Sequence, residues 1–110
     1  MAGTAPLQID VVELERLRKE NQELTLLDVR EKWEVEICAI AGSVNVPLST
    51  LPQNLAQLPS QGPMVVLCHH GARSMQAVAW LRQNGFGNAT NLSGGIDAWA
   101  RRIDPAMATY

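Results

Sequence analysis

The stretch Val65-Val66-Leu67-Cys68-His69-His70-Gly71-Ala72-Arg73-Ser74 places a thiol at the seam between an apolar run and an amphipathic one. A thiol becomes a strong nucleophile only as its thiolate, and an unperturbed cysteine, with a pKa of about 8.5, is ~3% ionised at neutral pH. The residues after Cys68 change that balance. A helix start carries roughly half a unit of positive charge and several unpaired N–H groups. Cys68 precedes such a start by a few residues, and Arg73 adds a full positive charge nearby. Lowering the thiol pKa by about two pH units would raise the thiolate fraction to about three quarters, a differential stabilisation of ~2.7 kcal/mol. Covalent chemistry at Cys68 is therefore the expectation.

The residues between Cys68 and Arg73 matter as much. Gly71 permits a backbone conformation that is costly for other residues. A loop curled through it turns successive amide N–H groups inward, forming a nest for negative charge on whatever atom is attached to Cys68. The side chains of His69, His70 and Ala72 then point outward, toward an incoming substrate. Two histidines beside a cysteine suggest a metal, but closed zinc sites need four ligands and the sequence offers no second Cys/His cluster. No metal or cofactor is expected, and the histidines are assigned a role in tuning charge near neutral pH. Arg73 either draws an anionic substrate or braces the loop. Cys38 has neither a glycine loop nor a basic partner beside it and is expected to pack as a small hydrophobe.

These residues need a frame, and the hydrophobic periodicity supplies one. Asp10 can cap a helix in which Val11, Leu14 and Leu17 share a face, with Glu13 reaching back and Ile9 and Leu14 forming a staple. Leu24 to Val29 reads as a buried strand, residues 31–37 as a short helix, and Ser43 to Pro47 as a second strand stopped by proline. Pro52 suits the first turn of a brief helix over Pro52 to Leu58. Met64 to Cys68 is apolar on both faces, as a central parallel strand should be. A helix then runs from about Arg73 to Asn84, with Gly85 and Phe86 placed for a Schellman stop. The last strand and a glycine turn fall within Asn88 to Gly95, and a closing helix carries Asp97 early and Arg101 and Arg102 late. Strands separated by helices run mostly parallel, and ligands of such sheets sit beyond the carboxyl ends of the strands. Cys68 is at one of those ends.

Four stretches now carry a resemblance. The Cys68–Ser74 loop resembles the active-site loop of the rhodaneses, a family of sulfurtransferases. Leu26-Leu27-Asp28-Val29-Arg30 with the acidic segment after it is similar to that family's Asp-Val-Arg strand end. Ala39 to Pro47 resembles its Ile-x-Gly-Ala-x-Asn-Ile-Pro stretch, and Asn91 to Trp99 its late Gly-Gly-Ile-x-Ala-Trp turn. One departure is present: Cys38-Ala39-Ile40 stands where the family often has Gly-His-Ile. The resemblance implies a single domain over residues 1–110, α/β and rhodanese-like, with a five-stranded mainly parallel sheet and helices on both faces. It also implies that Cys68 is the catalytic nucleophile. Cys68 would take a sulfane sulfur from thiosulfate or a persulfide, hold it as a persulfide, and pass it to a thiophilic acceptor, cyanide in an assay or a thiol or protein in the cell. His69, His70, Gly71, Ala72, Arg73 and Ser74 would form the binding loop, and Asp28 and Arg30 would support it as paired charges. A carrier or protein-docking module without turnover of its own is the alternative. Phosphatases of related fold keep five residues between cysteine and arginine; the four here argue for a cup sized to one sulfur atom rather than to a phosphoryl or arsenate group.

Bulk properties fit this frame. The chain has 110 residues, enough for one core, and a formal charge of −2, which leaves no broad basic field for nucleic acid or an anionic membrane. No apolar run approaches the ~20 residues of a membrane span. Two cysteines are too few for a disulfide framework, and no secretory pattern precedes them, so a cytoplasmic protein with free thiols is expected. Trp33, Trp80 and Trp99 are expected in or at the edge of the core, since none is interleaved with the basic residues of a nucleic-acid platform.

Overall fold

A computed structural model describes residues 5–20 and 23–110. In chain order its elements are β1 (Gln8–Ile9), α1 (Val11–Glu20), β2 (Thr25–Asp28), α2 (Lys32–Ile37), β3 (Val44–Asn45), a 3-10 helix (Leu48–Gln57), β4 (Met64–Leu67), α3 (Ala72–Gln83), β5 (Ala89–Leu92) and α4 (Gly95–Arg102). The strands form a five-stranded sheet in the order β1-β5-β4-β2-β3, and every pairing is parallel. The central strand, β4, runs straight into Cys68.

Alternation along the strands divides the core between the two faces of the sheet. Leu27, Met64 and Val66 point to one face, where Leu51 of the 3-10 helix and Ala77, Val78 and Leu81 of α3 cover them; Cys68 belongs to this cluster. Leu26, Val65 and Leu67 point to the other, under Val11 and Leu14 of α1 and Ile96 and Trp99 of α4. Helices on both faces are what a parallel sheet requires, because its crossovers must return over it.

The local signals act as their chemistry dictates. Asp10 Oδ1 accepts the Glu13 N–H at 2.9 Å, capping α1, while the Glu13 carboxylate pairs with Arg16 instead of reaching back. Gly85 adopts φ +96° and the Phe86 N–H donates to Leu81 O at 3.0 Å, the long bond of a Schellman stop.

Two expectations need correction, and one element lay outside them. β1 gives no sequence signal, since two residues are too few to show a period; it is held by its pairing with Asn91 and Leu92. The helix expected over Pro52 to Leu58 begins four residues earlier, at Leu48, and is 3-10 in type with Pro52 inside it. Its start is set by tertiary contact, because the Leu48 N–H donates to Val29 O at 3.0 Å just beyond β2. Trp33 is exposed at 59%, whereas Trp99 is buried and Trp80 packs partly against the core.

Gly94 and Gly95, at the start of α4, both have positive φ. A Cβ on Gly95 would lie 2.4 Å from His69 O and 2.5 Å from Cys68 O, while one on Gly42, also left-handed, would meet nothing. Gly95→Ala should therefore cost about 3 kcal/mol or more from backbone collision plus strain, and Gly42→Ala only about 1 kcal/mol. Urea unfolding of the two variants checks the contrast.

Candidate active site

Cys68 lies where two helix N-termini meet. α3 begins three residues after His69, and Gly71 before it takes φ +113°. That turn brings the Gly71 N–H to 3.1 Å and the Ser74 N–H to 3.4 Å from Cys68 Sγ. The Ser74 hydroxyl lies 3.3 Å from the same sulfur and also faces Asn91 Oδ1. It carries one proton for two acceptors, so ionising Cys68 draws that proton toward sulfur.

The carbonyls of the loop point the other way. Cys68 O accepts the Ile96 N–H at 2.9 Å and His69 O accepts the Asp97 N–H at 3.1 Å. The first turn of α4 thus satisfies the carbonyls, and the loop's amides are left to face the sulfur. Gly95 must be glycine for α4 to come so close.

Cys68 is only 1% exposed. Burial by itself pushes a thiol pKa up, because it penalises the charged form. The Ser74 hydroxyl and the backbone amides of Ser74, Gly71 and His70 outweigh it and hold the Cys68 thiol below its ordinary value. Cys68 is thus both a core residue and a sulfur surrounded by donors.

Arg73 does not offer its charge freely. Its two terminal nitrogens grip the Glu34 carboxylate at 2.7 and 2.8 Å. Glu34 also accepts the Glu31 N–H at 2.8 Å and the Tyr110 hydroxyl at 3.2 Å. Of the two roles open to Arg73 in the sequence, the geometry is that of a brace between the loop and α2. Asp28 and Arg30 form a fully buried pair at 2.6 Å, both 0% exposed. Arg30 further donates to Cys38 O at 2.8 Å and to the Tyr110 hydroxyl at 3.0 Å, tying the end of β2 to the loop after α2 and to the end of the chain. Cys38 has φ −160°, extended backbone open to any residue, so glycine is not required there. It is half-buried and packs against the core cluster that α1 and α4 cover.

Of the outward-facing positions, Ala72 and His70 are exposed and His69 is half-buried. The His69 ring is sandwiched between His70, at a centroid distance of 4.0 Å, and Tyr110, at 4.1 Å. His69, His70 and Asp97 place donor atoms within 4.8 Å of one another. The two imidazole planes lie only 23° apart, however, so their in-plane lone pairs run side by side instead of converging, and Asp97 is held by Arg101 at 3.1 Å. This is a stacked and ion-paired group whose imidazole nitrogens do not converge on one point. A cavity of about 850 Å³ lies at the opposite end of the sheet, among Ala5, Pro6, Ile9, Pro63 and Asn88, away from Cys68.

Sequence reasoning assigned no role at the site to Glu34, Asn91 or Tyr110, and gave Asp97 only a place in the first turn of the closing helix. Glu34 could have been found from its place one turn into a helix that follows the Asp28-Val29-Arg30 strand end. Tyr110 is brought in from 80 residues beyond Arg30 and has no local signal.

Comparison with known proteins agrees with this geometry. Residues 10–102 match the model of the rhodanese-like domain. This chain belongs to the rhodanese-like family. It is 35% identical over 101 residues to a sulfurtransferase of Allochromatium vinosum, covering 92% of this chain and 94% of that one. It is 36% identical over 105 residues to the adenylyltransferase and sulfurtransferase MOCS3-2 of Zea mays, but spans only 22% of that larger protein. Among solved structures it resembles a rhodanese-related protein from Thermoplasma volcanium, with a TM-score of 0.79, 35% identity and coverage of 87% and 92% of the two chains. The five-stranded parallel sheet with helices on both faces is the rhodanese fold.

The Glu34–Arg73 brace yields a prediction with a definite sign. Arg73, foremost, holds the Glu34 carboxyl at about 2, well below its ordinary 4.5. A depressed carboxylate stabilises the fold above its unfolded pKa and loses that contribution as pH falls toward the folded value. Arg73 is a third exposed, so water screens the pair. Glu34→Gln should lower stability by about 1–2 kcal/mol at neutral pH, and the gap from wild type should close as pH drops from about 4.5 toward 2. Urea midpoints across that range measure it.

Proposed function

We propose that this chain, acting as a single rhodanese-like domain, is a sulfurtransferase with Cys68 as its nucleophile. The observation that carries the reading is the convergence of two amides and a hydroxyl on Cys68 Sγ at 3.1 to 3.4 Å. Donors fixed around a sulfur stabilise negative charge there without having to reorganise during reaction, by the logic of an oxyanion hole. With thiosulfate, the Cys68 thiolate attacks the sulfane sulfur. The bond between the sulfane sulfur and the sulfonate breaks, its electron pair leaves with sulfite, and a Cys68 persulfide anion remains. A thiophilic acceptor, cyanide or a thiol, then attacks the outer sulfur; the persulfide bond breaks and the thiolate returns. One difficult transfer becomes two easier ones, and the chain's own groups supply positioning and charge without a metal or cofactor. The second sulfur lies about 2.05 Å beyond Sγ, within a loop whose amides already face inward.

A second reading, a persulfide carrier that serves a protein acceptor, is favoured by two observations. Cys68 is almost sealed from solvent, and the chain matches only part of larger proteins such as the one from Zea mays. The two free cysteines suit a reducing compartment such as the cytoplasm. Among the described residues no helix is long and apolar enough to cross a membrane. Phosphoryl or arsenate chemistry is disfavoured by the four-residue interval, one residue shorter than that of the related phosphatases and suited to one transferred sulfur atom beyond Cys68 Sγ.

Treating the protein with thiosulfate should add the mass of one sulfur atom to wild type and nothing to Cys68→Ser. Cyanide should then discharge it as thiocyanate with repeated turnover. A charged Cys68 that yields its sulfur once, from a protein persulfide only, marks the carrier. Loading of Cys38 in place of Cys68, or hydrolysis of an aryl phosphate without sulfur loading, contradicts both.

A further inference from the structure

The hydroxyl of Ser74 has one proton and two acceptors in reach, Cys68 Sγ at 3.3 Å and Asn91 Oδ1. Ser74 and Asn91 are both buried, so the choice between the two acceptors is made inside the protein. Asn91 lies on β5, beside the strand that delivers Cys68. The orientation of its amide is fixed: Nδ2 donates to Gly71 O at 3.3 Å and to Gln8 Oε1 at 3.4 Å. Gly71 O is a backbone carbonyl and can only accept, so Oδ1 is the atom that faces Ser74. Among the described residues no other donor meets Oδ1.

The place of the Ser74 proton follows the charge on sulfur. A thiol is a weak acceptor and an amide oxygen a strong one, so beside a Cys68 thiol the proton lies on Asn91. A thiolate carries a full charge and draws the proton to Sγ, and Oδ1 gives up its partner. In a persulfide the charge sits on the outer sulfur, about 2.05 Å beyond Sγ. Sγ is then a weak acceptor again, and the proton returns to Asn91.

We infer that Asn91 is a positioning residue for the reaction: it holds the Ser74 proton whenever Sγ is uncharged and yields it when Sγ is a thiolate, and so favours the loaded persulfide over the empty nucleophile. This rests on the sulfur-transfer reading and deepens it. The charged and titratable groups around the cup take no part in the exchange. Arg73 is held by Glu34, Arg30 by Asp28 and Asp97 by Arg101, while His69 and His70 stack on each other.

The test is a double-mutant cycle over wild type, Asn91→Ala, Ser74→Ala and the double variant. Ultraviolet absorbance gives the thiolate-to-thiol ratio of Cys68 against pH, each protein corrected for Cys38 by its own Cys68→Ala counterpart. Removing the acceptor leaves the Ser74 proton to sulfur, and one exchanged hydrogen bond is worth about five-fold. The ratio at a given pH should therefore rise about five-fold in Asn91→Ala and not change when Asn91→Ala is added to Ser74→Ala. A residue that merely props the loop through Gly71 O would do the reverse: its loss would loosen the amides and lower the ratio in both backgrounds. Above the thiol midpoint, at a fixed ratio of thiosulfate to sulfite, intact mass gives the fraction of Cys68 loaded. The loading constant should fall about five-fold in Asn91→Ala, again only where Ser74 is present. Asn91→Leu, which keeps the buried volume, is expected to give the same results and serves where the alanine variant does not fold. A thiolate ratio that falls, a change of equal size without Ser74, or an unaltered loading constant overturns the inference and leaves sulfur transfer standing. A Cys68 that ionises as expected in all four proteins but takes sulfur neither from thiosulfate nor from a protein persulfide overturns the sulfur-transfer reading instead.

Discussion

The structure depends on a division of the Cys68 loop's polar groups between two helices. Backbone N–H and C=O groups buried in a turn must all find partners. Here the carbonyls of Cys68 and His69 are taken by the first turn of α4, and the amides of Gly71 and Ser74 are left to the sulfur. Either half alone would fail. Without α4 the carbonyls would have to turn inward and repel an anion; without the left-handed Gly71 the amides could not face the cup. The parallel sheet makes the arrangement possible because β4 and β5 end side by side, delivering α3 and α4 to the same edge.

Charge is handled in the same way, by pairing. Glu34 grips Arg73 and braces the loop against α2, while Asp28 holds Arg30 at the end of β2. The fully buried Asp28–Arg30 pair contributes less to net stability than to fixing one geometry. Both pairs also leave the cup's positive potential to backbone dipoles, which cannot swing away or be screened by their own counterions. Tyr110 joins both pairs through its hydroxyl and presses its ring on His69, so the far end of the chain contributes to the wall of the site.

Much of this was legible in the sequence where the signal is local. The apolar run ending at Cys68, the glycine before α3, the Schellman residues Gly85 and Phe86, and the double glycine before α4 each have one physical use, and the structure employs them. Strand β1 was not legible because its two residues are defined by their partner. The 3-10 helix starts early because a hydrogen bond to Val29 fixes its first residue, which no propensity encodes. Arg73 reads in sequence as either a cation that draws substrate or a brace for the loop; that it braces through Glu34, 39 positions away, is a fact of topology. Trp33 stays exposed because α2 is short and buries only Glu34.

Amide dipoles at position 68 must overcome the cost of burying a charged sulfur. An ultraviolet thiolate titration of wild type, with the Cys68→Ala curve subtracted to remove Cys38, reads that balance directly. Dominant dipoles place the Cys68 midpoint below the ordinary thiol value of about 8.5. A midpoint at or above that value would mean that desolvation wins, and that the cup does not hold an anion.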